Sequence, residues 1–151
     1  KHVSDVSEEQ YNSIMTLNYP FNQSELDSYL REDNNNFSVR SSKYSVSDTM
    51  YFEGRRMKEP KDAAIFSISK KDNKLNLITK YDAVTEDNYT IDNSLTGFCY
   101  NENDNSLYYI LSARKKVKDS ASISEKLDLC KLDLSNNSIT VIDTIFKSED
   151  F

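Results

Sequence analysis

Residues Ser106–Thr144 read SLYYILSARKKVKDSASISEKLDLCKLDLSNNSITVIDT, and their pattern decides the fold. The apolar run Leu107–Leu111 leads into the basic stretch Arg114–Lys118. An alternating run through Leu127, Leu129 and Leu132 follows. Ser135-Asn136-Asn137 then separates it from a last apolar run, Ile139–Ile142. Period-two alternation of aromatic and β-branched residues, punctuated by Asn and Ser, predicts strand, long basic loop, strand, tight turn, strand. Leu107, Tyr109 and Leu111 face one way and Tyr108 and Ile110 the other. Both faces are apolar, as in a strand covered on both sides.

A shorter copy lies upstream at Thr49–Lys80, TMYFEGRRMKEPKDAAIFSISKKDNKLNLITK. Met50-Tyr51-Phe52 matches Leu107-Tyr108-Tyr109, 57 positions on. Ile65–Ile68 matches Leu129–Leu132, 64 positions on, and Lys71–Ile78 matches Ser135–Ile142 at the same offset. The seven extra residues fall in the first loop, where insertions cost little. Self-similarity at a fixed period marks repeat architectures.

The 151 residues fit one domain with a real core. Ten Tyr and seven Phe favour strands. With only two Gly and two Pro, the turns must be made by Asn, Asp and Ser. The net charge of −6 disfavours non-specific nucleic-acid binding. No apolar run reaches the ~20 residues of a membrane-spanning helix. The chain begins at Lys1 rather than Met, which favours an exported or surface-anchored domain. Cys99 and Cys130 are too few for a disulfide scaffold or a structural zinc site; free thiols and one disulfide both stay open.

Before the β region, Ser7-Glu8-Glu9-Gln10 has the form of a capping box, with Tyr11, Ile14 and Met15 on one helical face until Pro20. Leu26, Tyr29 and Leu30 mark a second short helix that ends at Asn34–Asn36. The expectation is therefore a single domain, 1–151, that is mainly β with an α+β N-terminus. A helical cap over 7–33 packs on the β region 37–146, whose antiparallel sheets form two strand trios. Tyr81–Leu95 reads as a polar link, and Asn101–Asn105 as a turn rather than a calcium loop, because Gly and Glu are missing at the ligand positions.

The run Asp104-Asn-Ser-Leu-Tyr-Tyr-Ile, followed by Leu129-Cys-Lys-Leu-Asp-Leu-Ser-Asn-Asn-Ser-Ile-Thr-Val-Ile, resembles one blade of bacterial β-propeller-type repeat proteins. The resemblance covers about residues 44–80 and 96–145. It implies blade-like antiparallel units and a binding or scaffolding role, since such proteins hold ligands, peptides and glycans. It carries no residue role.

The chain's only His is His2, so a Ser-His-Asp or Cys-His set is disfavoured, and no Gly-rich phosphate loop, metal run or nucleophile elbow is present. The expectation is no catalytic residue, no metal and no cofactor. Four matches to the glycosylation pattern, at Asn22, Asn36, Asn88 and Asn136, are what an Asn- and Ser-rich chain produces by accident. The positional feature is a basic stretch after the first strand of each trio. Arg55, Arg56, Lys58 and Lys61 form one, and Arg114, Lys115, Lys116 and Lys118 the other. Together they hold eight of the 19 Lys and Arg. With Tyr108 and Tyr109 they are the candidate binding residues, for a protein partner first and an anionic surface or acidic glycan second. The competing reading is a solvated Lys-rich loop that discourages edge aggregation. The alternative functions are a structural subunit of a larger intracellular assembly whose strand edges pair with another chain, and an enzyme of carboxylate or metal type.

Overall fold

The computed structural model of the protein describes residues 37–56, 58–69, 71 and 74–151. They form nine strands in two antiparallel sheets. β1 (Phe37–Val46), β2 (Thr49–Arg56), β3 (Ala63–Ser69) and β4 (Leu75–Tyr81) make a four-stranded meander. β5 (Val84–Thr85), β6 (Tyr89–Asn101), β7 (Ser106–Val117), β8 (Ile123–Asp133) and β9 (Ser138–Lys147) make a five-stranded meander, and one of the two sheets curls into a half-barrel. The left-handed turn positions fall on Ser47, Asn105, Asp119 and Asn137, with φ of 51°, 49°, 59° and 57°. Asn and Asp tolerate this region better than most side chains, which answers the scarcity of Gly. In the β8–β9 turn the Asp133 Oδ1 accepts the Ser135 N–H at 2.9 Å, and the Asn136 Oδ1 accepts the Ser138 N–H at 2.9 Å.

The first sheet is apolar on both faces. Met50, Phe52, Ala64, Phe66 and Ile68 are buried on one, with the Phe52 and Phe66 rings stacked at 5.7 Å. Tyr51, Ala63 and Ile65 are buried on the other, against Leu95, Leu107, Tyr109, Cys130 and Leu132 of the second sheet. Each such Ile, Leu or Phe contributes about 1.5–3 kcal/mol by leaving water. This two-sided burial is why β3 reads AAIFSIS, almost without a polar residue.

The first sheet also covers the outer edge of β6. The Asn93 N–H donates to the Lys61 carbonyl at 2.9 Å, and the Leu95 N–H to the buried Glu53 Oε1 at 3.1 Å. Asp62 ties the strand ends together: it accepts the Ala83 N–H at 2.6 Å and meets the Arg56 Nε at 2.9 Å. Deeper in the junction the Tyr81 and Tyr109 hydroxyls share a hydrogen bond of 2.6 Å. Burial pushes the Tyr81 phenol up to about 12 and raises that of Tyr109 as well, the latter also through its bond to Tyr81. Folding thus favours the neutral phenols. This stability is fully present below the unfolded-state value of about 10 and is lost as pH rises through the folded value. Denaturant midpoints should fall between pH 10 and 12, and the Tyr81→Phe/Tyr109→Phe variant should show a shallower fall.

The two ladders share offsets over their central pairs, and part where the second has a further register shift between Leu127 and Asp128. Met50 pairs with Ile68 and Phe52 with Phe66; 57 and 64 positions on, Leu107 pairs with Leu132 and Tyr109 with Cys130. Ile68 pairs with Leu75 and Phe66 with Leu77, while Leu132 pairs with Ile139 and Cys130 with Val141. The register shift between Ile65 and Phe66 recurs between Leu129 and Cys130, which leaves Ile78 and Ile142 as the extra residues.

Several expectations need correction. The described part is all-β, with no helix among the described residues. The segment read as a helical cap, 7–33, lies outside the described residues. The sheets have four and five strands rather than three each, because β1 pairs with β2 and β6 with β7. The link expected over Tyr81–Leu95 holds β5 and half of β6; its polar residues are tolerated because strand faces there reach solvent. Cys99 and Cys130 are free thiols, the first exposed and the second in the core.

Candidate binding surface

The basic stretches are strand ends more than loops. Arg55 and Arg56 close β2, and Arg114, Lys115 and Lys116 extend β7 to Val117. Cross-strand partners explain the extension: Arg114 stands opposite Asp92 on β6 and Glu125 on β8, and Lys116 opposite Thr90 and Ile123. A run of charge hid a strand whose alternation survives in the exposure: Arg114 and Lys116 lie open, Lys115 and Val117 half-buried.

The two stretches meet at one backbone position. Asp92, opposite Arg114, accepts the Lys61 N–H through its Oδ1. Lys58 is exposed in the β2–β3 loop, Lys61 half-buried, and Lys118 exposed in the β7–β8 turn. The Lys118 N–H donates to the Asn88 carbonyl at 2.8 Å, which brings the β5–β6 and β7–β8 turns together. Between them opens a cleft of about 360 Å³ lined by Glu86, Asp87, Tyr89, Lys116, Lys118 and Asp119.

The cations differ in what holds them. Arg56 is paired with Asp62. The Lys115 Nζ lies 4.6 Å from the Tyr89 ring centroid, a cation–π contact. Arg114, Lys116 and Lys118 have no carboxylate within ion-pair distance among the described residues. The two acids nearest Arg114 in the ladder are engaged elsewhere, Asp92 by Lys61 and Glu125 by the Ser112 hydroxyl at 3.0 Å.

The two candidate tyrosines separate. Tyr109 is 1% exposed, hydrogen-bonded to Tyr81 and edge-on to Phe98 at 5.7 Å, so its ring is out of reach of a partner. Tyr108 is half-buried on the opposite face, its hydroxyl donating to the Asp104 Oδ2. That bond, together with Lys131 at 3.3 Å, holds the Asp104 carboxyl below its usual range. Sequence reasoning missed the apolar residues that stay open on β9: Val141, Ile142, Ile145 and Phe146 are each about half exposed. Their β-branched alternation is the same signal that marks a buried strand, so composition alone does not separate the two. No protein family, no curated protein and no solved structure matches this chain.

Proposed function

We propose that the protein is a non-catalytic binding or scaffold module that meets an acidic protein partner through the basic end of β7. The observation that carries this reading is the set Arg114, Lys116 and Lys118: exposed, adjacent and without an ion-pair partner among the described residues. In this reading the three exposed cations steer and orient an anionic partner, which approaches from the Arg114 side because the cleft beside Lys116 and Lys118 also carries Glu86, Asp87 and Asp119. The stretch Arg55–Lys61 adjoins them through Asp92. The blade-like reading fits here as well: the recurrent ladder offsets support a duplicated four-stranded unit, with β1–β4 one copy and β6–β9 the other.

The test is titration of an acidic polypeptide, poly-L-glutamate, against the chain and the variant Arg114→Gln/Lys116→Gln/Lys118→Gln. Three exposed charge contacts at about 0.2–1 kcal/mol each should weaken binding by roughly 3- to 100-fold and flatten its salt dependence. The melting temperature should stay within about 2 °C, since these side chains support no packing. Unchanged affinity would count against the reading.

A further inference from the structure

Opposite charges on this surface find one another. Lys71 reaches Asp48 at 3.6 Å although both side chains are more than half exposed. Lys80, Lys126 and Lys131 meet Asp82, Asp128 and Asp104 at 2.8, 3.1 and 3.3 Å. The cleft between the β5–β6 and β7–β8 turns breaks this pattern. Lys116 and Lys118 line it together with Glu86, Asp87 and Asp119. None of the five takes part in an ion pair or a side-chain hydrogen bond among the described residues.

The walls of the cleft are fixed by backbone, with no help from these side chains. The Glu86 N–H donates to the Tyr89 carbonyl at 2.9 Å and closes one turn. The Ser120 N–H donates to the Val117 carbonyl at 3.3 Å and closes the other. The Lys118 N–H, bonded to the Asn88 carbonyl at 2.8 Å, ties the two turns together. Tyr89 and Val117, both half-buried, supply an apolar part of the lining, and the Tyr89 ring is held in place by the Lys115 ammonium. Charges of both signs are thus presented on a frame that is already ordered, which lowers the cost of binding a ligand.

Charge selects the occupant. Two cations against three carboxylates leave the lining one negative charge in excess. A ligand that answers both signs carries one carboxylate and two cationic groups. The α-carboxylate, α-ammonium and side-chain cation of a basic amino acid are that set. The volume of about 360 Å³ stands at the small end of the range for ligand clefts, which suits a single amino acid better than a long peptide.

We propose that this cleft binds a free basic α-amino acid, lysine or arginine, with its carboxylate at Lys116 and Lys118 and its cationic groups toward Glu86, Asp87 and Asp119. The three carboxylates have no part in meeting an acidic partner, so this binding stands or falls independently of that reading.

The experiment is an amide NMR titration of the full chain with three probes. They are L-lysine, cadaverine, which lacks the carboxylate, and ε-aminocaproate, which lacks the α-ammonium. L-lysine should move the Tyr89, Lys118 and Ser120 amides to saturation. Loss of either group should weaken binding by about 1.5- to 5-fold, as expected for an exposed charge contact. Lys116→Ala/Lys118→Ala should erase the difference between L-lysine and cadaverine. Asp87→Asn/Asp119→Asn should erase the difference between L-lysine and ε-aminocaproate, and should leave the binding of poly-L-glutamate in place. Shifts that sodium chloride reproduces at equal ionic strength overturn the proposal, as does cadaverine bound by the unsubstituted chain as tightly as L-lysine.

Discussion

Tyr109→Ala is expected to lower the unfolding free energy by about 3–5 kcal/mol, the largest effect of any single truncation in the junction between the sheets. The ring is 1% exposed and sits edge-on to Phe98, among Leu107, Cys130 and Leu132. Its removal leaves a cavity that two sheets, each fixed by its own ladder, close poorly. Tyr109→Phe separates packing from polarity. It keeps the ring and strands the Tyr81 hydroxyl, and should cost about 1–3 kcal/mol. The double variant Tyr81→Phe/Tyr109→Phe should recover part of that loss, because removing both partners leaves no unpaired hydroxyl. Urea unfolding of the three variants checks the order; equal losses for Ala and Phe would mean that packing contributes little at this position.

Asp62→Ala is the second large effect. The carboxylate is nearly buried and accepts the Ala83 N–H at 2.6 Å, where the chain passes from the first sheet to the second. It also meets Arg56 at 2.9 Å and Lys80 at 3.9 Å. The Arg56 side chain is 40% exposed, so solvent screens that pair and it adds about 0.2–1 kcal/mol. The uncapped Ala83 amide dominates, and the whole loss should be about 2–3 kcal/mol. Asp62→Asn keeps an acceptor for Ala83 and should retain about half of the stability that Asp62→Ala loses. If both variants lose the same amount, the ion pair rather than the amide bond holds the crossing.

The strand pattern between Thr49 and Ile142 was legible because β2, β3 and β7 carry short apolar runs, β8 alternates, and Asn, Asp and Ser stand between the later strands. The offsets of 57 and 64 recur in the central pairs Met50–Ile68 and Leu107–Leu132, and Phe52–Phe66 and Tyr109–Cys130, and fail at the further shift between Leu127 and Asp128. Three things were not legible, for separate reasons. Arg114–Lys116 read as loop because charge dominates the composition there, while their ladder partners, Thr90–Asp92 on β6 and Ile123–Glu125 on β8, are distant in sequence. The link over Tyr81–Leu95 read as polar because its strand-forming partners, Arg114–Val117, were themselves taken for loop. Tyr108 and Tyr109 were read to opposite faces, but both faces are apolar, so the letters did not say which one is the core: Tyr109 lies in it and Tyr108 outside it. The candidate site was therefore legible as a charge pattern, and the division of those cations into paired, stacked and open ones was not.

The same period-two logic links fold to proposed function. Arg114 and Lys116 face solvent because Ala113 and Lys115 turn the other way, Ala113 buried and Lys115 over Tyr89. In the proposed reading Arg114 and Lys116 would be presented from a ladder rather than from a free loop, which would limit the ordering cost of meeting a partner.

The most direct measurement of the two-sheet architecture is amide hydrogen exchange at Asn93 and Leu95. Both N–H groups point out of β6, away from β7, and are closed only by the first sheet, through the Lys61 carbonyl and the Glu53 carboxylate. If the sheets are docked as described, these two amides exchange at the rate of the central β7–β8 ladder, by global unfolding. Exchange as fast as that of an open sheet edge would mean that the first sheet does not cover β6, and would contradict the shared core.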